Sequence, residues 1–163
     1  MKKKDILVLA FGVAAFPPIW AVLAGKIGVA IAPVALVVAA IYVAANGNTA
    51  LGIRQSLSYA LSVVWTLIAL KMVGGLPFPQ PVNLYITLFI MGGLAVLIAG
   101  FLPQIFDLAA LLGGWAIGLT IFTTIGDPGS LALPIQLLIA ELVGVWYVGW
   151  GLLWFLGKFG SKE

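Results

Sequence analysis

Long apolar runs separated by short polar, glycine- and proline-rich clusters set the rhythm of this chain. The runs are continuous. They lack the strict apolar–polar alternation of half-buried strands. Each is close to the ~20 residues that a helix needs to cross a bilayer's hydrocarbon core. The pattern predicts six spans, at about 6–25, 27–45, 51–73, 82–102, 106–125 and 131–156. The separators are "NGNT" at 46–49, "GGLPFPQP" at 74–81, "FLPQ" at 101–104 and "GDPGS" at 126–130. Gly, Pro, Asn and Asp in these clusters supply the dihedrals that end helices. The shortest separator is little more than Lys26.

Composition turns this pattern into a solvent argument. Of 163 residues, 63% are hydrophobic and 8% charged, more apolar surface than a soluble domain of this length can hide. In hydrocarbon every backbone polar group must be satisfied internally, and long continuous runs select helices over a closed barrel. The expected fold class is an all-α integral membrane protein with six transmembrane helices. The expected organisation is one polytopic membrane domain over 1–163. The basic start "MKKKD" reads as a signal anchor that stays, because cleavage would remove a span.

Charge and chemistry narrow the classes further. The chain has no His and no Cys, which removes disulfides, thiol chemistry, imidazole catalysis and the usual zinc or haem ligands. The net charge of +3 is small and dispersed, so nucleic acid is not an expected partner. With no P-loop, ATP is not an expected energy source. No cofactor, metal or enzymatic activity is expected. With the N-terminus inside, Lys2, Lys3, Lys4, Arg54, Lys158 and Lys162 are cytoplasmic and only Lys26 and Lys71 are outside. That bias places both ends in the cytoplasm. Trp20, Trp150 and Trp154 lie toward helix ends, where indole favours the interface.

The chain also resembles itself. Residues 45–70 and 126–152 each run from a turn cluster through an apolar helix to a valine–tryptophan pair, Val64–Trp65 and Val145–Trp146. Repeats at 6–73 and 82–156 would each hold three spans. Two such halves cross the membrane in opposite senses, as in inverted-repeat transporters.

Short motifs carry a family resemblance over most of the chain. They are Phe122, Gly126–Asp127, Leu133–Pro134 and "GLLW" at 151–154, with Ile19–Trp20, the turn around Gly47 and "VVW" at 63–65. On these the chain resembles the family of small, uncharacterised bacterial inner-membrane proteins that includes YcdZ. It departs from that pattern at "LLGGW" (111–115), where the family tends to a Pro-Gly step. The resemblance implies a six-helix inner-membrane protein and says little about substrate. A looser, fold-level resemblance links the leucine–proline step to bacterial urea transporters.

Glu141 is the leading candidate for chemistry. It sits near the middle of the sixth span, where a charge costs about 3 kcal/mol or more. It should face the bundle interior, a wet cavity or a partner subunit. Its helix face carries Pro134, Leu137, Gly144, Val148 and Gly151, and the glycines admit a close backbone. The functional reading is a binding, gating or proton-carrying carboxylate. The structural one is a hydrogen-bonded acid that ties helices together. In the third span Gln55, Tyr59, Ser62 and Thr66 recur on one face, with Ser58 alongside. This stripe either lines a pathway shared with Glu141 and Gln136 or bonds neighbouring helices. Pro17 and Pro18 remove two amide donors from the first span and mark a candidate helix break. Pro33 and Pro134 lie in first turns, where proline costs little. Asp127 or Ser130 is placed to cap the sixth helix, Asp107 to start the fifth, and Arg54 to anchor the third. Gly113, Gly114 and Gly118 form a small-residue face on the fifth, with Thr120, Thr123 and Thr124 toward its outer end.

Three functions fit this chemistry. The first is a channel or facilitator for a small neutral or weakly cationic polar solute, such as urea, an amide or ammonium, since no Lys or Arg lies deep enough to favour an anion. The second is a proton-coupled transporter in which Glu141 loads and releases a proton. The third is a non-transporting scaffold or accessory subunit. So thin a six-helix bundle is expected to form a homo-oligomer in the lipid bilayer.

Overall fold

The computed structural model describes residues 2–125 and 132–161, and every described element is helical. We label the helices α1 (Lys3–Lys26), α2 (Val34–Ala44), α3 (Thr49–Gly75), α4 (Gln80–Phe101), α5 (Leu108–Ile125) and α6 (Ala132–Phe159). Within α6, the stretch Gly144–Gly149 is π-helical. Asp127, Ser130 and Lys162 lie outside the described residues.

Five of these helices are long and apolar enough to cross a membrane. The sixth expected span differs. Helix runs over only Val34–Ala44, 11 residues, which gives a rod of about 17 Å against a core of about 30 Å. The stretch 27–33 before it is turns, for local reasons. Gly28 adopts φ +77°, and Val29 N–H donates to the Ala24 carbonyl at 2.9 Å, closing α1 with a left-handed glycine cap. Pro33 has no amide to donate, and the bonds around it are the short three-residue kind, Val34 N–H to the Ile31 carbonyl at 3.1 Å and Ala35 N–H to the Ala32 carbonyl at 3.2 Å. The far end of α2 closes the same way. There Asn46 takes φ +47°, and Gly47 N–H donates to the Tyr42 carbonyl at 3.0 Å.

Pro17 and Pro18 stand inside the continuous α1. The interruption of the helical backbone falls instead at 27–33. The unbroken α1 fits the tolerance of membrane helices for proline. Trp20 is also placed differently from an interfacial indole. It is buried, and its Nε1–H donates to the Ala32 carbonyl at 3.0 Å, so it braces the irregular stretch.

The chain divides into two compact units. One holds Met1–Gly52 and Ile135–Glu163, and the other Ile53–Pro134. In the first, α1 packs along the last part of α6, and α2 along its π-helical stretch. A Cβ on Gly12 would lie 2.8 Å from Leu152 Cδ2, so this glycine sets the closeness of α1 and α6. Phe16 meets Tyr147 and Phe155 edge-on at 5.7 and 6.1 Å. In the second unit, α4 and α5 pack around Met91, Ala95, Ala99, Leu111 and Trp115, with Trp65 of α3 against both clusters. Trp65 Nε1–H donates to the Met91 carbonyl at 3.1 Å. Asn83, which the hydrophobic pattern did not single out, holds the α3–α4 turn. Its Nδ2–H₂ donates to the Val73 and Leu76 carbonyls and its Oδ1 accepts from Phe78 N–H.

Candidate functional site

Glu141 is fully buried, at 0% exposure. It is the tenth residue of α6, about 14 Å along the helix and so near the middle of a bilayer core. Among the described residues neither of its carboxylate oxygens has a hydrogen-bond partner. Contacts on either side of it fix the register of α6 against the α2 segment. Five residues earlier, Gln136 Oε1 accepts from Ala30 N–H at 3.1 Å. Three residues later, a Cβ on Gly144 would lie 2.6 Å from Val38 Cβ and 2.7 Å from the Ala35 carbonyl oxygen. Farther on, a Cβ on Gly149 would lie 2.8 Å from Tyr42 Cδ1. The two segments therefore run parallel. Glu141 stands at the level where the irregular stretch 27–33 gives way to α2.

The glycines explain the closeness. Without a side chain, Gly144 lets the α2 backbone come close, and Gly149 makes room for the Tyr42 side chain farther on. The π-helical stretch lies between Gly144 and Gly149 and starts three residues after Glu141. Such insertions in α-helices are rare and frequent at functional sites. The ring of Tyr42 fills the space beside Gly149 and also covers Gly47. Its hydroxyl is buried with no partner among the described residues.

The α3 stripe is buried as well. Gln55, Ser58, Tyr59, Ser62 and Thr66 are all at 0% exposure, and Thr87 of α4 joins them. Its hydroxyls, however, are largely occupied by their own helix. Ser58 donates to the Arg54 carbonyl, Ser62 to that of Tyr59 and Thr66 to that of Ser62, at 2.8–2.9 Å. These are back-bonds of the kind Ser and Thr make in helices. Thr66 also packs against Gly118 of α5, where a Cβ would lie 2.5 Å from its Oγ1, so the expected small-residue face of α5 receives α3. At the other end of the stripe, Ser58 Oγ accepts from Asp107 N–H at 2.8 Å, and Gln55 Nε2–H donates weakly to Asp107 Oδ1 at 3.4 Å. Asp107 Oδ1 also accepts from Ala110 N–H at 2.9 Å, the helix-starting role its position suggested. Arg54 donates to the Pro103 carbonyl at 2.8 Å. Gln55 Oε1 and Thr87 Oγ1 remain without partners among the described residues.

The two glutamines match in position. The interval from Gln55 to Gln136 equals that from Trp65 to Trp146. Gln136 bonds the approach to α2, and Gln55 bonds the start of α5. Both stand on the pathway expected from the sequence, and the equal interval relates their positions.

No group of three or more His, Cys, Asp or Glu residues able to hold a metal ion occurs among the described residues. Apolar helices of spanning length, with polar side chains buried in their middle, define a multi-pass helical membrane protein. The chain belongs to the DUF1097 family, described as proteins of unknown function, which matches it over residues 10–156. No curated protein and no solved structure matches the chain.

Proposed function

We propose that the chain is a passive channel or facilitator for a small neutral or weakly cationic polar solute of the urea, amide or ammonium kind. The observation that carries this reading is Glu141, a fully buried carboxylate in a membrane-spanning helix with no partner among the described residues. A buried acid that only tied helices together would be expected to have its oxygens occupied. One that meets a passing solute keeps them available. The interrupted stretch before α2 supports the reading, because unwound backbone at membrane depth is tolerated where it lines a cavity or is buried in protein. Gln136, at its edge, offers a further amide to a hydrogen-bonding solute.

In this reading the protein is not an enzyme. It sits in a bacterial inner membrane with both ends cytoplasmic and works as a homo-oligomer with one pathway per protomer. Two inverted repeats underlie it, and the matched glutamines support that symmetry. The narrower likeness to YcdZ and the looser one to urea transporters belong to the same proposal. A scaffold role is the second reading, favoured by the α3 hydroxyls, which bond their own helix.

The test is solute flux into proteoliposomes, wild type against Glu141→Gln, over urea, small amides, ammonium, glycerol and several anions, with and without a pH gradient. The proposal expects flux of one neutral or cationic class that the substitution removes or alters. A response to the gradient would convert the facilitator into a proton-coupled carrier. No flux from folded protein would leave the scaffold reading.

A further inference from the structure

The outer face of α6 carries a column that the transport reading does not use. Trp146, Trp150 and Trp154 recur every fourth residue and are 38%, 44% and 48% exposed. The next step along the same face is Lys158, whose ammonium lies 5.0 Å from the Trp154 ring centroid and 5.7 Å from that of Phe159. With Phe16, Tyr147 and Gly151, the three tryptophans line a groove of about 440 Å³. Its floor is tight at Gly151, where a Cβ would lie 3.2 Å from the Phe16 ring.

We propose that this groove binds one anionic phospholipid, with an acyl chain along the tryptophan column and the headgroup phosphate at Lys158. Three observations select that occupant. The first is length. The column from Trp146 to Lys158 rises about 18 Å, close to one leaflet of a core about 30 Å thick. The second is its order, wholly aromatic along the shaft and cationic at the end. A phospholipid has that same order, whereas a second copy of an apolar helix would place hydrocarbon against Lys158. The third is charge. Lys4 Nζ donates to the Gly160 carbonyl at 3.1 Å, which brings a second ammonium to the same end. Asp5 is nearby, but its carboxylate already accepts from the backbone amides of Ser161 at 2.6 Å and Lys2 at 3.2 Å. The cation–π contact holds the Lys158 ammonium at the mouth of the groove, and an ammonium near the headgroups attracts anionic lipid.

The experiment is quenching of tryptophan fluorescence by phospholipids brominated on the acyl chains, in vesicles of phosphatidylcholine doped with brominated phosphatidylglycerol or brominated phosphatidylcholine. Trp20 and Trp115 are buried and Trp65 half-buried, so quenching reports mainly the column. The expected result is about a fivefold preference for the anionic lipid, the effect of one lysine near the surface. Lys158→Gln should abolish most of the preference while quenching persists, and Lys158→Arg should keep it. Equal quenching by both lipids in the wild type would overturn the proposal. So would weak quenching by both together with a cross-linked dimer through Trp150, which would make the groove an interface between copies. The measurement is independent of solute flux, so its failure leaves the transport reading untouched.

Discussion

Polar side chains are buried in both compact units, but they are treated differently. In the unit built from Ile53–Pro134, the hydroxyls of Ser58, Ser62 and Thr66 are spent on carbonyls of their own helix. Asp107 is held by Ser58, Gln55 and Ala110. In the unit that contains α6, Glu141 has no partner among the described residues. Yet the backbone around it departs twice from regular α-helix, at 27–33 and at Gly144–Gly149. Burial alone therefore does not mark a functional polar group. A hydroxyl can be satisfied within its own turn of helix. A carboxylate has no proton donor to offer when ionised, and no helix carbonyl can serve it. Gln55 Oε1, Thr87 Oγ1 and the Tyr42 hydroxyl are also buried without partners among the described residues, so what distinguishes Glu141 is that it is an acid with both oxygens uncompensated, next to irregular backbone.

This contrast can be broken by substitution. The largest effect is expected at Gly144→Leu. The new side chain would drive into Val38 and the Ala35 carbonyl, where backbone must move. A loss of stability of about 1–3 kcal/mol or more follows from such overpacking. Unfolding in detergent by increasing SDS fraction reads it. A wild-type midpoint would show that α2 and α6 are not in close contact. The smallest effect is expected at Ser62→Ala, because its hydroxyl only doubles a bond on a carbonyl that the helix already uses. Double-mutant cycles on such membrane hydrogen bonds average about 0.6 kcal/mol. A loss several times larger in the same assay would mean that Ser62 bonds more than its own helix. If the α3 column serves the same solute as Glu141, Ser62→Leu lowers the same flux. Unchanged flux would assign the column to packing.

Much of this was legible in the sequence, for physical reasons. Hydrocarbon as solvent forces helices, so the apolar runs fixed five of the spanning helices to within a few residues. Asp107 reads as a helix start from its position alone. The burial of Glu141 and the α3 stripe follows from the cost of polar groups in lipid. The departures from helix were harder. The second span looked continuous because Ile27, Val29, Ala30, Ile31 and Ala32 are as apolar as any helix. The stop signal was present in Lys26 followed by Gly28, with Pro33 beyond, but hydropathy outweighed it. The π-helical stretch leaves no trace in periodicity, because α6 is apolar nearly all round. Its bracketing glycines are the only cue. Asn83 and Thr87 were invisible for a related reason. A single amide or hydroxyl in an apolar helix carries no pattern, and only the fold brings it to a turn or an interior.

The central claim is that Glu141 is kept for a solute and not for the fold. Glu141→Leu tests it most directly, with the unfolding midpoint and solute flux measured on the same preparation. Replacing a buried polar group that has no partner relieves its desolvation, so stability should hold or rise, by up to about 1–3 kcal/mol. Flux should fall to the background of empty liposomes. A protein that loses stability by a similar margin while its flux survives would contradict the account, and would make Glu141 a structural tie between helices.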